Sequence, residues 1–197
     1  NIKIIFPDKI EKGSIIFSDR IEKIIIKEKD VCQEKGSSLD IIDGGGYYLS
    51  PGFIDIHFHG VAGFDTMDAS QEALLHIRES LPETGVTSFL PTTISMPIED
   101  LIRSLEAIRI AMRKERTGST GARILGCHLE GPFINKKYKG AHAEENIILP
   151  DLELIKNFID IIKIVTLAPE IEGAEELISF LRAKGIICSA GHSGATY

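Results

Sequence analysis

Six histidines and a handful of carboxylates carry most of the reactive chemistry in this 197-residue chain, and several of them close short apolar runs. His57-Phe58-His59 ends the run that starts at Phe53. Glu130 follows Arg123–Leu129 and precedes Gly131-Pro132, and His192 follows Ser189-Ala190-Gly191. Side chains alternate faces along a strand, so His57 and His59 share one face with Asp55, the two imidazoles about 6.5 Å apart along the strand. His128 and Glu130 share a face in the same way. Two imidazoles so spaced reach one cation at the strand end, and imidazole suits Zn, Fe, Co or Ni. A carboxylate on the inward face of an apolar strand is costly to bury without a partner. Each feature has a plainer reading when taken alone: an HxH pair is a weak signal, Glu130 fits a solvated strand end, and His192 fits a hydrogen-bonded core histidine. Three strand ends supplying His, Glu and His together describe a metal centre on the rim of an α/β barrel, where such folds build active sites.

The remaining polar candidates are weaker. His142 lies in Lys139-Gly140-Ala141-His142, inside the long polar connection after Glu130. Loops carry substrate contacts more often than cores do, and Lys136, Lys137 and Lys139 would attract an anionic group, although composition alone fits a solvated loop. His76 falls inside a helical pattern and reads as surface. Cys127 and Cys188 occupy strand positions and read as packing.

The elements that position these residues are legible in the hydrophobic pattern. Residues 1–50 show Ile2, Ile4 and Phe6 alternating with polar residues, then β-like runs at Ser14–Phe17, Ile21–Ile26 and Leu39–Ile42. Gly13, Asp19, Gly36 and Gly44-Gly45-Gly46 punctuate a meander of short strands, and the Gly triplet reads as a hinge to the next unit. From residue 51, strand candidates at Phe53–Phe58, Thr87–Leu90, Arg123–Leu129, Ile162–Leu167 and Ile186–Ala190 alternate with helical patterns. Asp68 with Gln71 resembles a capping box ahead of Leu74, Leu75, Arg78 and Leu81, with a stop near Pro82 and Gly85. Ser95 is the expected N-cap of a second helix, with Pro97 in its first turn and Ile98, Leu101, Ile102, Leu105, Ile108 and Met112 on one face. A third helix runs through Leu152, Leu154, Ile155 and Phe158. A fourth, Ala174–Lys184, buries Leu177, Ile178 and Leu181 and stops at Gly185. Such alternation implies parallel β/α units. A complete barrel takes roughly 250 residues, so residues 51–197 are expected to be the first part of one in a longer chain.

Bulk properties narrow the function class. Hydrophobic residues make up 43% of the chain and the net charge is −7, with no Lys/Arg run that would track a phosphate backbone, which argues against nucleic acid. No apolar run approaches the roughly 18 residues of a membrane span. Cys32, Cys127 and Cys188 are odd in number and outside any CxxC, as expected of free thiols in a reducing cytoplasm.

Pro51–Gly60, Leu90-Pro91-Thr92, His128–Pro132, Lys139–His142, Leu167-Ala168-Pro169-Glu170 and Ser189–Ser193 together resemble the N-acetylglucosamine-6-phosphate deacetylase family of the amidohydrolase superfamily. The resemblance holds in order and spacing across nearly all of residues 51–197. The HxH element marks only the superfamily, whereas HLEGP with KGAH and SAGHS points to this family. The resemblance implies an α/β fold: a (β/α)8 metallo-dependent hydrolase barrel, incomplete in this chain, with residues 1–50 forming the N-terminal portion of a small β-sandwich. It implies hydrolysis of the acetamide of N-acetylglucosamine 6-phosphate to glucosamine 6-phosphate and acetate. It gives Glu130 and His192 as primary metal ligands and His57 and His59 as the pair holding a second metal. One or two divalent ions (Zn, Fe, Co or Ni) are thus expected, with Ala141 and His142 in a substrate-binding loop. A further His ligand and the general acid/base Asp are expected beyond Tyr197, so the chain alone is expected to be inactive. The full-length enzyme is expected to be a cytoplasmic homodimer with no nucleic-acid or membrane partner. Two alternatives stand beside this one. A dihydroorotase or cyclic deaminase would place a carboxylated Lys where Glu130 stands, and a non-catalytic sugar-phosphate-binding module would bind no stoichiometric ion.

Overall fold

A computed structural model describes residues 2–18, 20–26, 40–114 and 120–196. Asp19, Cys32, Gly36 and Leu39 lie outside the described residues. The chain divides into two units, Asn1–Gly52 and Phe53–Tyr197.

In the first unit, alternating apolar residues form one four-stranded sheet from β1 (Ile2–Ile5), β2 (Ile10–Phe17), β3 (Ile21–Ile26) and β4 (Tyr48–Leu49), in the order β3-β2-β1-β4. β1, β2 and β3 pair antiparallel, but β4 joins β1 in parallel, which a simple meander does not do. Ile4 and Ile25 are buried, and Ile10, Phe17, Ile21 and Ile24 are exposed. Asp40, Ile41 and Ile42 form no strand; the polypeptide instead turns at Gly45 and Gly46, both at positive φ, and enters β4. The Gly triplet is therefore a turn inside the first unit, because a strand of the same sheet follows it. The described residues of this unit supply one sheet; a sandwich needs a second facing it.

In the second unit, β5 (Phe53–Phe58), β8 (Val86–Pro91) and β9 (Arg123–Ile124) form one parallel sheet, and β10 (Cys127–Glu130), β11 (Ile162–Leu167) and β12 (Ile187–Ala190) form another. A parallel bridge between Thr92 and His128 connects them. Between β5 and β8 lie a tight hairpin, β6 (Gly60–Val61) with β7 (Phe64–Asp65), and then α1 (Gln71–Ser80). Helices α2 (Ile98–Lys114), α3 (Leu152–Asn157) and α4 (Ala174–Ala183) make the later crossovers. The strands succeed one another in chain order, as consecutive β/α units require.

The run Arg123–Leu129 is two strands, not the single one expected from its pattern. The N–H of Leu125 still donates to Phe89 on β8, whereas that of Cys127 donates to Ile161 beside β11. Gly126 makes the change of partner at φ +153, and a Cβ there would lie 2.6 Å from the Ile161 carbonyl. The helices bury one stripe each: Leu74 and Ile77 of α1, Leu101, Leu105 and Ile108 of α2, Leu177 and Leu181 of α4 pack with Phe89, Leu129, Val165 and Leu167 of the strands. Fully burying a side chain of this kind stabilises by about 1.5–3 kcal/mol. Cys127 belongs to this core, and burial pushes its thiol pKa up.

Two caps differ from the sequence pattern. Asp68 does close a capping box, but with Asp65 around the preceding 3-10 turn Thr66–Asp68, and Ser70 caps α1 through the Ala73 N–H. α1 then ends before a 3-10 turn, Leu81–Thr84, that Gly85 terminates at φ +84. For α2, the carbonyl of Pro97 accepts the first helical bonds, from Asp100 and Leu101. Ser95 is fully occupied elsewhere.

Candidate metal centre

The alternation along β10 separates its two jobs. Cys127 and Leu129 enter the core, and His128 and Glu130 project from the other face, both almost fully buried. Glu130 ends the strand because Gly131 follows at φ +68. A Cβ on Gly131 would sit 2.4 Å from Ser95 Oγ, so only glycine lets that segment approach.

Three imidazoles meet the Glu130 carboxylate. Oε2 is 3.2 Å from Nε2 of His57 and 3.2 Å from Nε2 of His59, both from the end of β5. Oε1 is 3.1 Å from Nε2 of His192, which follows β12. The Nε2 atoms of His57 and His59 lie 3.2 Å apart. Two of the outer nitrogens face main-chain carbonyls: Nδ1 of His59 donates to Thr92 and Nδ1 of His192 to Tyr138, each at 3.1 Å. Carbonyls accept only, so these two rings carry their proton on Nδ1 and turn Nε2 toward the carboxylate. Second-sphere acceptors of this kind fix the ring of a metal-binding histidine.

The electrostatics are those of a cation site. The hydrogen bond to Glu130 raises the pKa of His59, partly opposed by burial. Burial pushes the Glu130 carboxyl up, but its bonds to His59 and His192 and the charge of His57 and His59 outweigh that and bring it down to about 2. Converging nitrogen lone pairs around one buried carboxylate need positive charge between them, a proton or a metal ion. His57, His59 and Glu130 form one group able to hold an ion, and Glu130, His142 and His192 form another.

His142 differs from the other rings in that second group. The backbone N–H of Ser95 donates to its Nδ1 at 3.0 Å, with Ser95 Oγ at 2.8 Å. A backbone N–H cannot accept, so Nδ1 is unprotonated and the neutral ring presents an N–H at Nε2. Burial lowers the His142 pKa, and the neighbouring His192 adds to this; the two ring centroids are 4.6 Å apart. His142 thus stands over the centre as a donor. Lys139 Nζ holds its carbonyl at 3.2 Å, and Ala141 is exposed beside it. Lys136 and Lys137 are exposed in the turn Lys136–Tyr138.

The structure brings His57, His59, Glu130, His142 and His192 together and leaves Asp55 out: its Oδ1 accepts the N–H of His57. His76 stacks on Phe64 away from the centre. Sequence reasoning missed the supporting residues. His128 uses both nitrogens, on the Ile56 carbonyl at 2.8 Å and Thr166 Oγ1 at 2.7 Å, and packs edge-on against His57. Thr92 accepts the Phe58 N–H at 2.8 Å, bracing the HxH segment. The HxE spacing of His128 and Glu130 was a signal for the first, and Thr92 stood in the Leu90-Pro91-Thr92 segment of the resemblance without a role attached to it.

No protein-family model matches the chain. It is 46% identical over 151 residues to the N-acetylglucosamine-6-phosphate deacetylase of Bacillus subtilis, an alignment covering 75% of this chain and 38% of that protein. The fold matches the crystal structure of N-acetylglucosamine-6-phosphate deacetylase from Thermotoga maritima with a TM-score of 0.78 at 36% identity, over 99% of this chain and 48% of that one. Over most of its length the chain is similar to N-acetylglucosamine-6-phosphate deacetylases. It also shares 37% identity over 153 residues with N-acetylgalactosamine-6-phosphate deacetylase of Escherichia coli O157:H7, covering 76% of this chain and 40% of that protein. The chain therefore spans less than half the length of the curated relatives it matches. Among the described residues, no helix is long and apolar enough to cross a membrane.

Proposed function

We propose that this chain supplies the metal-holding part of a deacetylase that hydrolyses the acetamide of N-acetylglucosamine 6-phosphate to glucosamine 6-phosphate and acetate. Its second unit is read as the opening part of a (β/α)8 barrel and its first as a portion of a small β-sandwich. The observation that carries the reading is the buried carboxylate of Glu130 with imidazoles from two other strand ends at 3.1–3.2 Å, in a chain whose relatives are named as these deacetylases.

Glu130 and His192 would hold a primary divalent ion, and His57 and His59, on the other oxygen of the same carboxylate, would hold a second. The nitrogen-rich donor set suits Zn, Fe, Co or Ni. Bound there, a divalent cation supplies the Lewis acidity that lets water attack an unreactive amide carbonyl. His142, with its proton on Nε2, would donate to an oxygen of the substrate. Gly131 and Gly140 let the segments around His142 and His192 approach closely: a Cβ at Gly131 would meet Ser95 Oγ at 2.4 Å, and one at Gly140 would meet the His192 ring at 3.4 Å. The proton passing from water to the departing amine needs a general acid/base, a role the family resemblance gives to an Asp beyond Tyr197. In such an enzyme, a homodimer in the cytoplasm would be the working form.

The test is turnover by a polypeptide of the relatives' full length carrying this sequence, on N-acetylglucosamine 6-phosphate, N-acetylgalactosamine 6-phosphate and dihydroorotate. Acetate release from the first, with His142→Asn raising KM more than it lowers kcat, supports the assignment. Preference for the galactosamine epimer would move the substrate within the family, and turnover of dihydroorotate alone would overturn the reading.

A further inference from the structure

Glu170 touches none of the groups of the metal centre, yet it gathers the segments that build one side of it. It follows β11 in Ala168-Pro169-Glu170. Oε1 accepts from Asn135 Nδ2 at 2.8 Å and from the N–H of Gly194 at 2.7 Å, and Oε2 accepts from the Ser193 hydroxyl at 2.6 Å. These donors come from two loops, one after β10 and one after β12. Desolvation pushes the Glu170 carboxyl up, and the bonds from Ser193, Gly194 and Asn135 outweigh it and bring it to about 2.

Asn135 passes that restraint on. Its N–H donates to the carbonyl of His192 at 3.0 Å, its Oδ1 accepts from the Lys137 N–H at 2.9 Å, and its carbonyl accepts from the Tyr138 N–H at 2.9 Å. The last two bonds shape the turn that delivers the Tyr138 carbonyl to Nδ1 of His192. His192 itself sits at φ +51, a region that residues with a Cβ enter seldom and hold only when their surroundings fix them. Its main chain is gripped by Asn135, its ring by Tyr138, and the two residues after it by Glu170.

We infer that Glu170 is a positioning residue for the metal centre: by tying Asn135 to Ser193 and Gly194, its carboxylate holds His192 with Nδ1 on Tyr138 and Nε2 toward Glu130. The inference rests on the reading of His192 as a metal ligand. Among the described residues the carboxylate's three hydrogen-bond partners are all donors, so an amide at this position would set its own N–H groups against at least one of them.

Co2+ titration of a polypeptide of the relatives' full length carrying this sequence tests it, with dissociation constants from competition against a chelator and with the ligand-field absorption spectrum. Glu170→Gln should weaken Co2+ binding by about 10- to 100-fold, the usual range for a second-sphere partner, and change the spectrum. Ser193→Ala, which removes one of three donors, should weaken it by less. In a double-mutant cycle, Glu170→Gln should add nothing to His192→Asn. Unchanged affinity in both Glu170→Gln and Ser193→Ala would overturn the inference. So would a loss in Glu170→Gln that adds fully to that of His192→Asn, since Glu170 would then act on general stability. A wild-type chain that binds no stoichiometric Co2+ would overturn the metal reading and this inference with it, an outcome distinct from wild type and variants binding equally well.

Discussion

Replacing Glu130 by Gln keeps the volume of the side chain and removes its charge, and the structure sets the size of the effect. Against the cost of burial, the imidazoles around Glu130 bring its pKa from 4.5 to about 2. A displacement of that size corresponds to about 3 kcal/mol of net attraction between the carboxylate and its surroundings. In the metal-free chain the positive charge is carried by protons on the imidazoles. A divalent ion at the same nitrogens carries more charge, so the loss of the carboxylate should cost its binding at least as much. Glu130→Gln should therefore weaken Zn2+ or Co2+ binding by at least about 100-fold. Competition against a chelator on the purified chain measures this, and a thermal melt of the same sample shows whether the variant is folded. No other carboxylate shares a cluster with these imidazoles among the described residues, so none can substitute. A folded Glu130→Gln chain that binds Co2+ as tightly as wild type would refute the reasoning.

Three further outcomes follow from the same geometry. Glu130 has a lowered pKa, so its contribution to the stability of the metal-free chain is present above about pH 4.5 and lost as the pH falls toward about 2. His59 has a raised pKa, so its share is present below pH 6.5 and lost as the pH rises through its folded value. The difference in denaturant stability between the metal-free wild type and Glu130→Gln should thus be largest between these limits, since the other histidines contribute to both; identical pH profiles for the two would contradict the pairing. Gly131→Ala forces a Cβ to within 2.4 Å of Ser95 Oγ at φ +68, and should destabilise the chain by about 1–3 kcal/mol in urea melts; no change in midpoint would show that the Ser95 segment yields freely. Phe53, Ile54 and Ile56 on β5 and Ile187 on β12 are exposed at the two ends of the parallel array, a pattern prone to edge pairing. The 197-residue chain should associate with rising concentration in light scattering and release little or no acetate; a monodisperse monomer with normal turnover would refute this.

Periodicity alone determined the elements whose faces are most one-sided. β5, β3 and β11 occupy the residues their patterns predict, and the four helices bury most of the stripes read from their sequences, because burial of an amphipathic face depends on spacing more than on neighbours; Leu75 and Ile102, counted in those stripes, lie at their edges and are exposed. The local pattern of Ile, His and Glu likewise fixed which side chains share a face, so the gathering of His57, His59, Glu130 and His192 was legible before any coordinates. What sequence could not give was partner choice. Ser95 has the chemistry of an N-cap, and only the approach of the Lys139–His142 loop across Gly131 turns it to His142. Asp68 reads as a cap for α1, yet Asp65 is nearer. The break at Gly126 arises because β8 and β11 compete for one stretch of backbone, and β4 joins β1 because the Gly45-Gly46 turn brings it back. The state of each histidine was also a tertiary decision: a carbonyl from Thr92 or Tyr138 leaves Nε2 free for an ion, and an N–H from Ser95 leaves His142 a donor. Hydrogen-bond direction is set by the group that arrives from elsewhere in the chain, and nothing in the local sequence of a histidine encodes it.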